Sequence, residues 1–201
     1  MRPDYYATAL AFVLQHEGGF ADHPDDPGGA TNYGISLRYL RRLASVAPLL
    51  ADVDGDGDVD ADDIRALTPR DAGHIYRARF WDGLGCDDMP GQVAIAYFDA
   101  AVNTGPGQAG RLLQRALNQY GHSLAVDGII GPASRCALLQ SCAAPCGAER
   151  VAYMACFYRM EFYAHLAARR DESGLYPMRT FMAGWTRRVT ALARTVRNAS
   201  A

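Results

Sequence analysis

Residues 4–35 read DYYATALAFVLQHEGGFADHPDDPGGATNYGI. Tyr6, Leu10, Val13 and Glu17 stand at i, i+4, i+7 and i+11, one face of an α-helix, so residues 4–17 are predicted helical. Gly18-Gly19 ends that helix, as a glycine pair after the last periodic residue should. The run 23–34, HPDDPGGATNYG, is dense in turn formers and predicts a loop or short hairpin. Helical periodicity returns at 36–47 (Leu37, Leu40, Leu43, Ala44) and at 69–81 (Ala72, Ile75, Tyr76, Phe80). Residues 91–104 are apolar nearly all round, from Val93 to Phe98, which marks a central buried helix. Gly105-Pro106-Gly107 breaks it, and further helices are predicted over 108–119, 133–141, about 147–169 and 178–197. The expected fold is mainly α, with any sheet confined to the stretch near 20–35.

A chain of 201 residues can bury a sizeable core. Apolar residues at 49% and charged residues at 21% give ordinary globular composition, and a net charge of −2 provides no field that would draw nucleic acid. A local basic patch (Arg187, Arg188, Arg194, Arg197) closes the chain, either as a solvated helix face or as a binding surface. No stretch approaches the roughly 20 apolar residues of a membrane span. The first 20 residues do not read as a cleavable signal, since Asp4 and Gln15 interrupt the apolar run. Synthesis in the cytoplasm is therefore expected. Five cysteines (Cys86, Cys136, Cys142, Cys146, Cys156) cannot all pair within one chain, and their spacing fits no compact zinc pattern. Free or buried thiols are expected, with a disulfide among the last four as the alternative.

Glu17 closes the apolar face of its helix, where a surface glutamate is out of place. Hydrolysis of a glycosidic bond needs a carboxyl that protonates the leaving oxygen, and such a group needs a desolvated setting. Asp26 follows nine residues on and Thr31 five beyond it, offering an acid, a second carboxylate and a hydroxyl able to position water. Spacing alone also fits a plain helix-end carboxylate followed by a capped Asp25-Asp26-Pro27 turn.

The run His16-Glu17-Gly18-Gly19-Phe20, with His23-Pro24, then Asp26-Pro27-Gly28-Gly29-Ala30-Thr31-Asn32-Tyr33-Gly34-Ile35, resembles the signature of the family-108 glycoside hydrolases, lysozyme-like N-acetylmuramidases. Tyr76-Arg77-x-Arg79-Phe80-Trp81 looks like that family's helix ending in an aromatic pair. From Phe98, FDAAVNTGPGQAGRLLQRALN, then DGIIGPAS and FMAGWTRR, resembles its C-terminal peptidoglycan-binding segment. The resemblance covers nearly all of the chain outside 45–68. It implies a lysozyme-like catalytic segment over 1–97 and a helical segment over 98–197 that completes the fold. It also implies peptidoglycan glycan strands as the partner and Glu17 as the catalytic residue. The Asp26-to-Thr31 interval is one residue shorter than in the phage-type lysozymes that share the Glu, Asp, Thr order. A monomeric phage or prophage endolysin, released to the wall through a holin-type pore, is the expected setting. A secretion-associated muramidase, a non-catalytic wall-binding protein and a chitinase-like hydrolase are the alternatives.

Residues 52–63, DVDGDGDVDADD, fit a twelve-residue calcium loop position by position. Asp52, Asp54 and Asp56 take positions 1, 3 and 5, and Gly57 takes position 6, where the turn is sharp. Asp58 supplies a backbone carbonyl at 7, Asp60 stands at 9 and Asp63 at 12. Aspartate in place of glutamate at 12 resembles the dockerin variant of the loop. Calcium takes about six to eight oxygens, a number this loop can offer. The alternative is a solvated acidic linker.

Asp99 and Asn103, at i and i+4 on the central helix, need polar partners that either a substrate cleft or a neighbouring element could provide. Tyr33 and Trp81 are candidates to stack on sugar faces. Trp185 reads as packing.

Overall fold

Asp4 opens the first helix, its Oδ1 accepting from the Ala7 amide at 2.9 Å, and α1 runs Tyr5–Glu17. The chain is described here by a computed structural model over residues 3–22 and 29–199. Gly18, at φ +77°, stops α1 directly after Glu17, the left-handed position that a glycine takes at helix ends without a Cβ penalty. A hairpin follows, β1 (Thr31–Asn32) and β2 (Ile35–Ser36), antiparallel with Thr31 opposite Ser36 and Asn32 opposite Ile35. Tyr33 (φ 50°) and Gly34 (φ 77°) are both left-handed, which is what a two-residue type I′ turn demands. Ser36 then caps α2 (Leu37–Ala44), its hydroxyl accepting from the Tyr39 amide at 3.2 Å.

α3 (Pro48–Ala51), a single turn, enters the acidic segment and α4 (Ala61–Ala66) leaves it. Asp60 and Asp63 form a reciprocal capping box at the start of α4. Thr68 and Asp71 form a second one for α5 (Pro69–Tyr76), which continues as one π-type turn over Arg77–Trp81. Residues Leu10–Arg79 make one compact unit, whose core includes Phe12, Val13, Leu40, Leu43, Ile64 and Ile75.

Met1–Ala9 and Phe80–Ala201 make the other. Its centre is α6 (Gly91–Thr104), in which every residue from Val93 to Ala101 is buried. α7 (Pro106–Asn118), α9 (Gly147–Ala168) and α10 (Met182–Asn198) pack around α6, and α8 (Pro132–Cys142) packs on α7 and α9. α10 starts later than its periodicity suggests because Pro177–Phe181 form a 3₁₀ turn first. The fold is the mainly helical one expected. The boundary expected between 97 and 98 falls inside α6. Among the described residues, no helix is long and apolar enough to cross a membrane. The five cysteines are free thiols. Burial pushes the Cys156 thiol up to about 12 and the Cys142 thiol up to about 11, so neither is a reactive thiolate near neutral pH.

One ionic cluster sits in the core of this second unit. Asp99 on α6 is fully buried, and the Arg159 guanidinium of α9 and the Arg188 guanidinium of α10 close on its two oxygens. Arg188 Nε and Nη2 both donate to Oδ1, at 3.0 and 2.6 Å. Arg188 is thus a core residue, whereas Arg187, Arg194 and Arg197 of the basic patch remain exposed. Burial pushes the Asp99 carboxyl up, but the two guanidiniums outweigh it and hold the group below the usual carboxylate range. A carboxyl lowered in the folded state contributes stability above its unfolded value of about 3.9, and that stability is lost as pH falls through the folded value. Asp99→Asn should leave two arginine charges buried without a counter-charge, at a cost of about 3–5 kcal/mol. At roughly 2–4 °C per kcal/mol, thermal unfolding at pH 7 should show Tm lower by at least about 6 °C.

Candidate active site

Glu17 is the last residue of α1 and is half-buried. The chain closes over it from the hairpin turn. A Cβ placed on Gly34 would lie 2.8 Å from both Glu17 Cγ and Glu17 Oε2, and 2.7 Å from Tyr76 Oη. Position 34 is therefore glycine for two independent reasons, its left-handed backbone and the carboxyl lying against its Cα. Tyr76, at the end of α5, donates its hydroxyl to the Tyr33 carbonyl at 2.9 Å and so ties the turn down from the other side. The His16 ring is stacked on Phe12 at 4.1 Å, and its Nδ1 lies 2.8 Å from the Phe12 carbonyl. That carbonyl can only accept, so Nδ1 carries the proton.

Thr31 lies in β1, where its backbone exchanges two 2.8 Å hydrogen bonds with Ala21. Its hydroxyl donates to the Gly29 carbonyl at 3.3 Å, which leaves the oxygen's lone pairs available to a water. Tyr33 is half-buried in the turn itself. Asp26 lies outside the described residues. Glu17, Thr31, Tyr33, Gly34 and Tyr76 belong to one compact unit. Sequence reasoning singled out the first three. It passed over Gly34 and Tyr76 as active-site parts, although the Asn-Tyr-Gly triplet carries the signal of a two-residue turn.

The other three substrate-binding candidates lie in the second unit. Asp99 does not face a cleft: it is 0% exposed and its oxygens are taken by Arg159 and Arg188, so the expectation that it binds substrate is corrected to an ion pair of the core. Trp81 is corrected likewise. It is 1% exposed, with Tyr6 and Phe98 rings edge-on at 5.2 and 5.5 Å and its Nε1 donating to Asp87 at 2.7 Å, so no ring face is left for a sugar. Asn103 is exposed, and its Oδ1 accepts the hydroxyl of Tyr163, the same tyrosine that accepts from Arg159 Nε at 2.7 Å. Trp185 stacks on Tyr163 at 4.5 Å and 13°, as packing.

The acidic loop is wound around its last residue. Asp63 is buried, its Oδ1 accepting from the Val53 amide at 2.6 Å and its Oδ2 from the Asp60 amide at 2.8 Å, so one carboxylate joins both ends of the loop. Asp52 accepts from the Gly55 and Gly57 amides at 2.8 and 3.2 Å. Carboxylate oxygens of Asp52, Asp54 and Asp63 lie within 4.8 Å of one another, as do those of Asp58, Asp60 and Asp63. The neighbouring Asp56 carboxylate pushes the Asp58 carboxyl up, and desolvation with crowding by Asp56, Asp63 and Asp52 does the same to Asp54. This donor set fits a hard cation.

Residues 10–105 match the family Glycosyl hydrolase 108, and residues 108–190 match the one described as Predicted Peptidoglycan domain. A solved structure, that of Brucella abortus SagA, is similar at 32% sequence identity with a TM-score of 0.68, over 97% of this chain and 95% of that one. None of the curated proteins matches. The chain belongs to the glycosyl hydrolase 108 family. It is a glycoside hydrolase acting on peptidoglycan, with a lysozyme-like, mainly α fold and a helical C-terminal segment of the peptidoglycan-binding type.

Gly34→Ala should force the turn off Glu17 and strain a left-handed position, at about 1–2 kcal/mol for the backbone alone. Peptidoglycan lysis by the folded variant, followed as turbidity loss, should fall at least about tenfold, since displacements near 1 Å at a reacting group cost up to ~10²-fold.

Proposed function

We propose that the enzyme cleaves the β-1,4 bond between N-acetylmuramic acid and N-acetylglucosamine, with Glu17 as general acid. The observation that carries this is the seating of the Tyr33–Gly34 turn on the Glu17 carboxyl. The half-buried Glu17 carboxyl lies against a glycine backbone, so no side chain at position 34 stands over it. Asp26 is assigned to activating or positioning water, or to stabilising the oxocarbenium-like transition state. Thr31 is a second water-positioning group, and Tyr33 a contact for the glycan. Host-wall lysis by a monomeric phage or prophage endolysin is the setting carried forward; co-expression with a holin should then cause lysis that the enzyme alone does not.

Glu17→Gln keeps the shape and removes the proton donor, so lysis should fall by ~10²-fold or more with Tm unchanged. A folded variant within a factor of two of the parent would overturn the assignment, and comparison of peptidoglycan with chitin as substrate separates a muramidase from a chitinase-like enzyme.

The 52–63 loop is proposed to hold Ca²⁺ through the carboxylates of Asp52, Asp54, Asp56, Asp60 and Asp63 and the Asp58 carbonyl. Its support is the unbroken register of ligand positions and the convergence of oxygens on Asp63. A ligand held only by the folded state adds about 2.7 kcal/mol at a hundredfold excess over Kd. Chelator should therefore lower Tm by roughly 5–11 °C, and Asp54→Ala with Asp56→Ala should make the protein indifferent to calcium. Superimposable melting curves with calcium and with chelator would refute the site.

A further inference from the structure

Asn32 is 6% exposed and its side chain spans from the hairpin to α4. Its Nδ2 donates to the Ile64 carbonyl at 3.1 Å and to the Leu67 carbonyl at 3.4 Å. The last carbonyls of any helix have no partner within it, and α4, six residues long, has its terminal ones met by a side chain from 32 positions upstream. The next two residues after Asn32 are the left-handed pair that rests on Glu17. The same helix reaches the other side of the loop: the Arg65 guanidinium lies 5.7 Å over the Phe20 ring and 3.5 Å from Asp22. That second contact is exposed on both sides and screened. The buried amide is the firmer of the two.

We propose that Asn32 is a positioning residue for hydrolysis, fixing the height of the Tyr33–Gly34 turn over the Glu17 carboxyl by anchoring the turn to the end of α4. This rests on the assignment of Glu17 as the acid. The geometry explains why an amide is used. Two carbonyl oxygens a few ångströms apart need a donor with two hydrogens, and the Asn amide supplies both from one nitrogen. An apolar side chain of the same size would leave both carbonyls unsatisfied, and β1, only two residues long, has little pairing of its own to hold its register. A turn that is free to lift would let the carboxyl leave its position while disturbing a single proposed glycan contact, that of Tyr33. The loss should therefore fall mainly on kcat, with a smaller rise in KM.

The test measures kcat and KM on soluble peptidoglycan fragments for Asn32→Leu and Asn32→Ser, at a temperature at least 10 °C below every Tm. Ile95→Ala, a buried change on α6 in the other unit, serves as a control for lost stability. Both Asn32 variants should lose kcat at least tenfold with KM raised by no more than about threefold, while Ile95→Ala keeps its kcat. Asn32 variants that match Ile95→Ala in kcat overturn the proposal, and so does unfolding of both by circular dichroism, which would make Asn32 a folding residue. Glu17→Gln in the same assay separates the two ideas. An inactive Glu17→Gln beside fully active Asn32 variants removes only the positioning role, whereas an active Glu17→Gln removes the acid itself.

Discussion

A missing Cβ governs the smaller unit. At Gly34 the backbone must turn left-handed, and the carboxyl of Glu17 and the hydroxyl of Tyr76 fill the space a side chain would need. Three elements far apart in sequence meet at that point: the end of α1, the hairpin turn and the end of α5. Each is locally specified. Gly18 stops α1 at Glu17, the Asn-Tyr-Gly-Ile stretch makes a type I′ turn, and the Thr68 capping box sets the start of α5. What joins them is close approach at a single glycine, together with the hydrogen bond from Tyr76 to the Tyr33 carbonyl.

The larger unit solves a different problem. From Val93 to Ala101 its central helix is apolar except at Asp99, and that carboxylate pairs with one arginine from α9 and one from α10. An apolar surface alone would allow these helices to slide against α6. A buried carboxylate with two guanidiniums fixes their rotation and register, at a desolvation cost that the pairing offsets. Tyr163 extends the network to the surface at Asn103.

Helix positions were legible in the sequence because apolar periodicity is a local signal, and the expected helices over 91–104 and 147–169 correspond closely to Gly91–Thr104 and Gly147–Ala168. The acidic run at 52–63 was legible as a break between helices, and it lies between α3 and α4. Asp99 and Trp81 were misjudged because sequence gives residue type and face but not what arrives on that face. A polar residue on a buried helix reads alike whether it meets a substrate or an arginine 60 positions away, and Arg159 and Arg188 carry no local mark of their destination. Asn32 and Gly34 stand in the signature run but were given no role of their own for the opposite reason, being ordinary turn residues whose importance lies in what they touch.

α4 is too short to exist by itself, since nucleating a helix costs more than six residues of hydrogen bonding return. It persists because Asp60 and Asp63 close its first turn and Asn32 closes its last. Its two ends are thereby coupled, so an opening that starts at either one would spread through the acidic loop, α4 and the hairpin as a cooperative unit. Their amides would exchange with solvent together, at a single free energy, and a protease able to cut at 52–63 would gain access to the hairpin in the same event.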